Sequence, residues 1–208
     1  MKVLLINGSP RGNGNTALAL SEVAHVLESE GVKCEIVWLG NKPVRDCIAC
    51  RKCADLDNAC VFDDDIINDL IRIAETADGF VFGTPVYYAH PNGRILSVMN
   101  RLFFAGKPAF SHKPAAAVAV ARRAGATASL DVINKYFTIS EMPVVSSTYW
   151  NMAYGANQGE AEEDLEGLQT MRNLGKNMAW LLKCIEAGKE KGIDIPDTDK
   201  EHVTSFIR

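Results

Sequence analysis

The sequence predicts an α/β fold in which a parallel sheet is covered by helices on both faces, and three observations carry that reading. Short apolar runs recur along the chain, each is followed by a stretch with apolar residues at helical spacing, and the breaks between them fall at glycine, proline and asparagine. Parallel neighbours cannot be joined by a tight turn and need long crossovers, which an alternation of strands and helices supplies. The 208 residues, 47% of them hydrophobic, suffice for one core and are short for two.

Val3 to Ile6 is an apolar run closed by Asn7-Gly8-Ser9-Pro10, the pattern of a strand buried on both faces. Leu20, Val23, Ala24 and Leu27 then follow the i, i+3, i+4, i+7 template of a helix that starts near Thr16 and stops at Gly31. Lys33 to Leu39 reads as the second strand. Residues 40 to 62 lack periodicity, and a loop of that length in a compact domain is expected to be functional or ordered by a ligand. Asp63-Asp64-Asp65 is expected to open the next helix, whose positive end favours acidic side chains, with Ile66, Ile67, Leu70, Ile71 and Ala74 as its apolar stripe. Gly79 to Gly83 is the third strand, which Thr84-Pro85 is expected to break. Ile95 to Phe104 reads as helix, Pro114 to Val120 as a small-residue strand, Thr127 to Ile139 as helix and Pro143 to Ser146 as a short fifth strand. Leu165, Leu168, Met171, Gly175, Met178, Leu182 and Ile185 mark a last helix before a polar tail. The division expected is one domain over residues 1–188, with the cysteine-rich loop 40–62 inserted, and a tail over 189–208.

The 22 basic and 26 acidic residues leave a formal charge of −4 with no basic block, which argues against a nucleic-acid partner. No apolar run approaches the ~18 residues of a membrane span, and the opening run is too short for a secretory signal, so a cytoplasmic location without membrane contact is expected. Six cysteines in a reducing compartment point to ligation or redox chemistry, above all for the four between Cys47 and Cys60. Cys34 and Cys184 stand apart and read as packing residues.

Between the first strand and first helix lies Gly8-Ser9-Pro10-Arg11-Gly12-Asn13-Gly14-Asn15-Thr16. Backbone amides converge at such a junction and the helix dipole favours an anion, so the segment is a phosphate cradle. Gly8, Gly12 and Gly14 permit close approach, Ser9, Asn15 and Thr16 can donate to oxygens, and Arg11 can pair with charge. The spacing is neither the dinucleotide fingerprint nor a Walker loop, and a plain Gly/Asn-rich turn is the bland alternative.

These residues resemble the phosphate loop of the NADPH-dependent FMN reductase family and, within it, of the iron-sulfur flavoprotein branch. Thr84-Pro85-Val86-Tyr87-Tyr88 is similar to the family's second FMN loop, Ala121-Arg122-Arg123-Ala124-Gly125 to a third, and Ser147-Thr148-Tyr149-Trp150-Asn151 to a segment near the flavin. The likeness runs from Met1 to about Gly188. It implies a flavodoxin-like three-layer sandwich whose five-stranded parallel sheet has the order 2-1-3-4-5, with FMN at the switch point between the first and third strands. It also implies that Ser9, Arg11, Gly14, Asn15 and Thr16 hold the phosphate, that Pro85, Val86, Tyr87 and Tyr88 border the ring system, and that Arg122, Arg123 and Gly125 approach its pyrimidine end. The family often has Asp-Arg where this chain has Asn100-Arg101, which leaves a salt bridge there open.

Cys47-x2-Cys50-x2-Cys53-x6-Cys60 has spacing by which one short loop can bring four thiolates to a 4Fe-4S cubane. It resembles the compact motif of the iron-sulfur flavoproteins, although Cys60 is followed by Val61 and not by the proline of ferredoxins. Tetrahedral zinc and metal-free or redox-active thiols are the alternatives. The histidines show no metal or catalytic pairing. The function expected is an FMN oxidoreductase that passes electrons from NAD(P)H or reduced ferredoxin to flavin, quinone or another small acceptor. The alternatives are an electron carrier between protein partners and a flavin-free structural or metal-binding domain. The resemblance further implies a homodimer or homotetramer.

Overall fold

A computed structural model describes residues 1–206, so the last two residues of the expected tail, 207 and 208, lie outside the described residues. Strand β1 (Lys2–Asn7), helix α1 (Asn15–Ser29) and strand β2 (Lys33–Trp38) form the first crossover. After the cysteine loop come α2 (Ile67–Glu75), β3 (Gly79–Tyr87), a two-residue β4 (His90–Pro91) and α3 (Gly93–Ala105). The chain continues through β5 (Ala115–Ala121), α4 (Ala126–Ile139), β6 (Met152–Tyr154) and α5 (Leu165–Glu190). The parallel sheet runs β2-β1-β3-β5-β6, which is the expected 2-1-3-4-5 order once the small antiparallel β4 on β3 is set aside.

Strand periodicity sorts the core into two layers. Val3 and Leu5 of β1, Val81 of β3 and Ala116, Val118 and Val120 of β5 face α1 and α5. Leu4, Ile6, Phe80, Phe82 and Ala115, Ala117 and Ala119 face α2, α3 and α4. On that second face Phe82 packs on Phe137 at 5.4 Å and Phe80 on Phe110 at 4.8 Å between ring centres. The alanines of β5 leave room for those rings. On the first face α5 lies so close to α1 that a Cβ on Gly175 would stand 2.9 Å from Val26 Cβ.

Three expectations need correction. The fifth strand is at Met152–Tyr154, against Ala119 to Ala121, and not at Pro143 to Ser146. Val144 makes only an isolated bridge to Ala115, because the chain then leaves the sheet in a loop pinned by Ser147 Oγ donating to Thr170 O and Asn151 Nδ2 donating to Val145 O. β3 does not break at Thr84-Pro85. Its pairing with β1 ends at Gly83, so no neighbour on that side calls for the N–H that Pro85 lacks. The three aspartates precede α2 and do not begin it: Asp65 Oδ1 accepts from Ile67 N, while Asp64 pairs with Arg45 and Asp65 with Arg101.

β1 and β3 end side by side. Gly8 N donates to Gly83 O at 2.9 Å, and a Cβ on Gly8 would lie 2.9 Å from that same oxygen. Buried Asn92 locks the pair: its Nδ2 donates to Gly8 O at 2.6 Å, its backbone N to Thr84 Oγ1, and its Oδ1 caps α3 by accepting from Ile95 N. Replacing Asn92 by Ala leaves the Gly8 carbonyl and the α3 amide without partners, so urea unfolding is expected to show a loss of about 2–3 kcal/mol. An unchanged midpoint and slope would show that the lock contributes nothing.

Candidate functional site

The order β2-β1-β3 reverses direction between β1 and β3, and the loops leaving those two strands part to open a cleft. One wall is the loop after β1. Asn7 shapes it from below, with Oδ1 accepting from Ser9 N and Nδ2 donating to Gly12 O, and Trp38 Nε1 donates to Ser9 O at 2.8 Å while its ring lies against Gly12. Ser9 Oγ accepts from Arg11 N, which leaves its proton for a ligand. The loop delivers the chain into α1 at Gly14. No side chain caps α1, whereas Asn92 and Asp164 cap α3 and α5, so the first amides of α1 face the cleft with the positive end of the dipole behind them.

Ser9, Arg11, Gly14, Asn15 and Thr16 all line this cleft, as do Pro85, Val86, Tyr87 and Arg122. Two arginines and no carboxylate make it cationic, and Pro85, Val86, Tyr87 and Val120 give it an apolar side. Tyr88, Arg123 and Gly125 are not among the lining residues. Tyr88 is fully exposed at the tip of the β3–β4 hairpin, where it and Ala89 both adopt left-handed backbone, with φ of 50° and 61°. Gly125 has φ of 89° and packs its backbone on Ala89 and Val86, so it supports the hairpin from behind. Thr148, Tyr149 and Trp150 line a different hollow, beside Thr127 and Leu130 of α4.

The far end of the cleft is closed by a segment that the sequence reading missed, represented by Gly155, Ala156 and Gln158. Asn15 organises it. Its Oδ1 accepts from Gly159 N at 2.9 Å, its Nδ2 donates to Asn157 O at 2.8 Å, and Gln158 Nε2 donates to Asn13 O. The amide of Asn15, expected to bond a phosphate directly, is thus engaged with the 157–161 turn and acts by holding that turn over the loop. The Asn157 and Ala156 amides hold the Glu160 carboxyl below the usual carboxylate range, so this brace is present at neutral pH and is lost as acid protonates the group.

The cysteine loop builds a second receptacle. Cys47, Cys50, Cys53 and Cys60 line one pocket with Val61, Phe62 and Phe104, and its two charged residues, Arg51 and Arg101, are both cationic. Cys50 sits between Ala49 and Arg51, both left-handed, with φ of 52° and 59°. Among the described residues no three His, Cys, Asp or Glu side chains converge as they would on a single metal ion. Arg101 is buried; burial pulls the guanidinium pKa down, and Asp65 and the Cys60 sulfur more than offset this, leaving it raised. The salt bridge left open at Asn100-Arg101 therefore forms, with Asp65 as its partner. Cys34 has a thiol pushed up to about 12 by burial, with Glu28 nearby, which fits a packing role, but Cys184 is exposed on α5 and is not a packing residue. Among the described residues no helix is long and apolar enough to cross a membrane.

The sequence pattern of the NADPH-dependent FMN reductase family matches residues 1–157. The chain belongs to this family. The chain is 31% identical to an iron-sulfur flavoprotein of Methanocaldococcus jannaschii, with 89% of this chain and 100% of the relative aligned. It is 29% identical to an iron-sulfur flavoprotein of Methanosarcina thermophila, over 92% and 100% of the two chains. Among solved structures, a flavodoxin from the domain Archaea superposes with a TM-score of 0.58 at 15% identity, covering 88% of this chain and 99% of the other, which shows the flavodoxin-like fold. The protein is therefore a flavin-binding oxidoreductase of the NADPH-dependent FMN reductase family, related to iron-sulfur flavoproteins.

In this family member Asn7, Trp38 and the 155–161 segment were the site residues not foreseen. A polar residue ending an apolar strand was the available signal for Asn7; nothing local marked the others. Replacing Asn15 by Ala removes three hydrogen bonds to the 157–161 turn. At about 1 kcal/mol for each neutral bond, amide exchange at Gly159 and Ala161 is expected to quicken at least ~10-fold, with β1 and β3 unchanged. Unaltered exchange would show that the turn stands without Asn15.

Proposed function

We propose that this chain binds FMN in the cleft between β1 and β3, takes electrons from NAD(P)H or reduced ferredoxin, and delivers them to flavin, quinone or another small acceptor. We propose also that Cys47, Cys50, Cys53 and Cys60 hold one 4Fe-4S cluster. The observation that carries the reading is the composition of the cleft: an uncapped helix start beside Arg11, an apolar wall, a second arginine in Arg122, and no carboxylate. That is the chemistry of a ligand with a phosphate at one end and a flat ring at the other.

On this reading Ser9, Arg11, Thr16 and the first amides of α1 bind the phosphate, with Gly14 leaving the backbone bare for close approach. Pro85, Val86 and Tyr87 hold the ring against the sheet ends and keep water from one face, while Arg122, with Arg123 and Gly125 beside it, places positive charge at the pyrimidine end. Tyr88, at the exposed hairpin tip, borders the open face where a nicotinamide would stack. FMN, when bound, supplies exchange of electron pairs with nicotinamides and of single electrons with one-electron centres. The protein contributes distance and orientation, and no side chain has to act as acid or base.

The four thiols line one pocket together, and four thiolates from one short loop are the ligand set a 4Fe-4S cluster takes. Cys50 is exposed, which favours a second reading, an electron carrier that exchanges electrons with protein partners at this surface. Rapid mixing of the FMN-loaded protein with NADH or NADPH separates the two. Bleaching of FMN by either nucleotide is expected; bleaching by reduced ferredoxin alone would transfer the case to the carrier.

The double replacement of Arg11 and Thr16 by Ala is expected to weaken FMN about 100-fold, on the order of 3 kcal/mol for a charge-assisted and a neutral hydrogen bond together. Circular dichroism should be unaltered. Equal FMN affinity in the folded double variant would remove the phosphate from this loop.

A further inference from the structure

Among the described residues the largest fully buried side chain is a charged one. Arg101, on the last turns of α3, is 1% exposed, and a charge in that position is costly unless every part of it is matched. Its matches are unusual in kind. Nη1 pairs with Asp65 and lies 3.4 Å from Arg45 O, Nη2 donates to Phe62 O at 3.3 Å, and Nε donates to Cys60 Sγ at 3.4 Å. The Phe62 ring lies 5.5 Å from the guanidinium and carries Arg45 at 4.4 Å.

Arg45 and Phe62 flank the four cysteines on either side, so one planar group ties the flanks of the motif together and also reaches a sulfur. Only Cys60 of the four is so placed among the described residues; Cys53 Sγ faces the Phe104 carbonyl. Asp65 engages Nη1, which leaves Nε free to donate to the Cys60 sulfur. Arg51, the other cation lining the pocket, is exposed and screened by water.

We propose that Arg101 is a positioning residue for the iron-sulfur site: it ties together the segments flanking the four cysteines and fixes the Cys60 sulfur by a hydrogen bond from a buried positive charge, thereby easing reduction of a bound cluster. The inference rests on the cluster reading given above. Reduction adds one electron, and so one negative charge, to the cluster. A cation and a hydrogen bond at one of its thiolates stabilise that form more than the oxidised one, most of all behind apolar walls. Asp65 opposes this by neutralising part of the guanidinium charge. The two residues should therefore move the potential in opposite directions, which tying those segments together would not do alone.

The test is an anaerobic redox titration, with a reductant such as dithionite and mediator dyes, of the reconstituted full chain, reading the cluster by electron paramagnetic resonance. Iron and sulfide are measured first. Arg101→Met is expected to disfavour reduction about tenfold, a shift of ~59 mV to lower potential for one electron. Arg101→Lys should recover part of it, and Asp65→Asn should favour reduction. A natural chain that takes up no iron overturns the cluster reading and this inference with it. Full iron uptake with the Arg101→Met potential within a factor of two of the natural equilibrium overturns the inference alone. Should Arg101→Met not fold, Asp65→Asn decides: a shift to lower potential, or none, overturns the proposal.

Discussion

The backbone contact between Gly8 and Gly83 is the constraint from which the rest of the site hangs. Two neighbouring parallel strands end at one level, and their carbonyl and amide meet so closely that neither position admits a side chain: at Gly8 it would strike the Gly83 oxygen, at Gly83 it would meet Leu20 at 2.8 Å. From this point the chain leaves β1 in one direction toward α1, while β3 continues past Pro85 into its hairpin. Asn92 closes the knot by bonding Gly8 and capping α3 at once. The cleft is the space between those departures, and its floor is set by hydrogen bonds that involve no ligand.

Those same elements link the cleft to the cysteine pocket. Helix α3 begins at the Asn92 knot, and its last residues, Phe104 and Ala105, line the pocket beside the four thiols. Arg101 faces the loop from that helix. A rigid element thus fixes one receptacle at its start and the other near its end, which lets both keep their geometry while a loop of irregular backbone carries the four thiols.

Much of the fold was legible because burial on both faces writes itself into the sequence. The runs Val3 to Ile6 and Gly79 to Gly83, the small-residue strand before Val120 and the helical stripes of α1 to α5 need only local pattern to be read. The two errors in the strands share a cause: pairing partners decide them. Val144 and Met152 are equally apolar, and only the excursion held by Ser147 and Asn151 sends the later segment to the sheet. Pro85 is compatible with a strand solely because β1 has already ended. Of the cleft, the loop after β1 was legible because its glycines and hydroxyls stand together in sequence between a strand and a helix. Trp38, Gln158 and the bracing role of Asn15 act across about 140 residues of chain in the longest cases, and Arg101 shows its role only once Asp65 and Cys60 are seen on either side of it.

The central claim is that the loop after β1 and the open end of α1 recognise a phosphate while β3 and its hairpin hold a ring. Comparing FMN with riboflavin, which differs by that phosphate alone, tests it most directly. Titration calorimetry of the flavin-free chain is predicted to give one FMN per chain, bound at least ~100-fold more tightly than riboflavin, from two or more charge-assisted contacts. Equal affinity for the two would contradict the account.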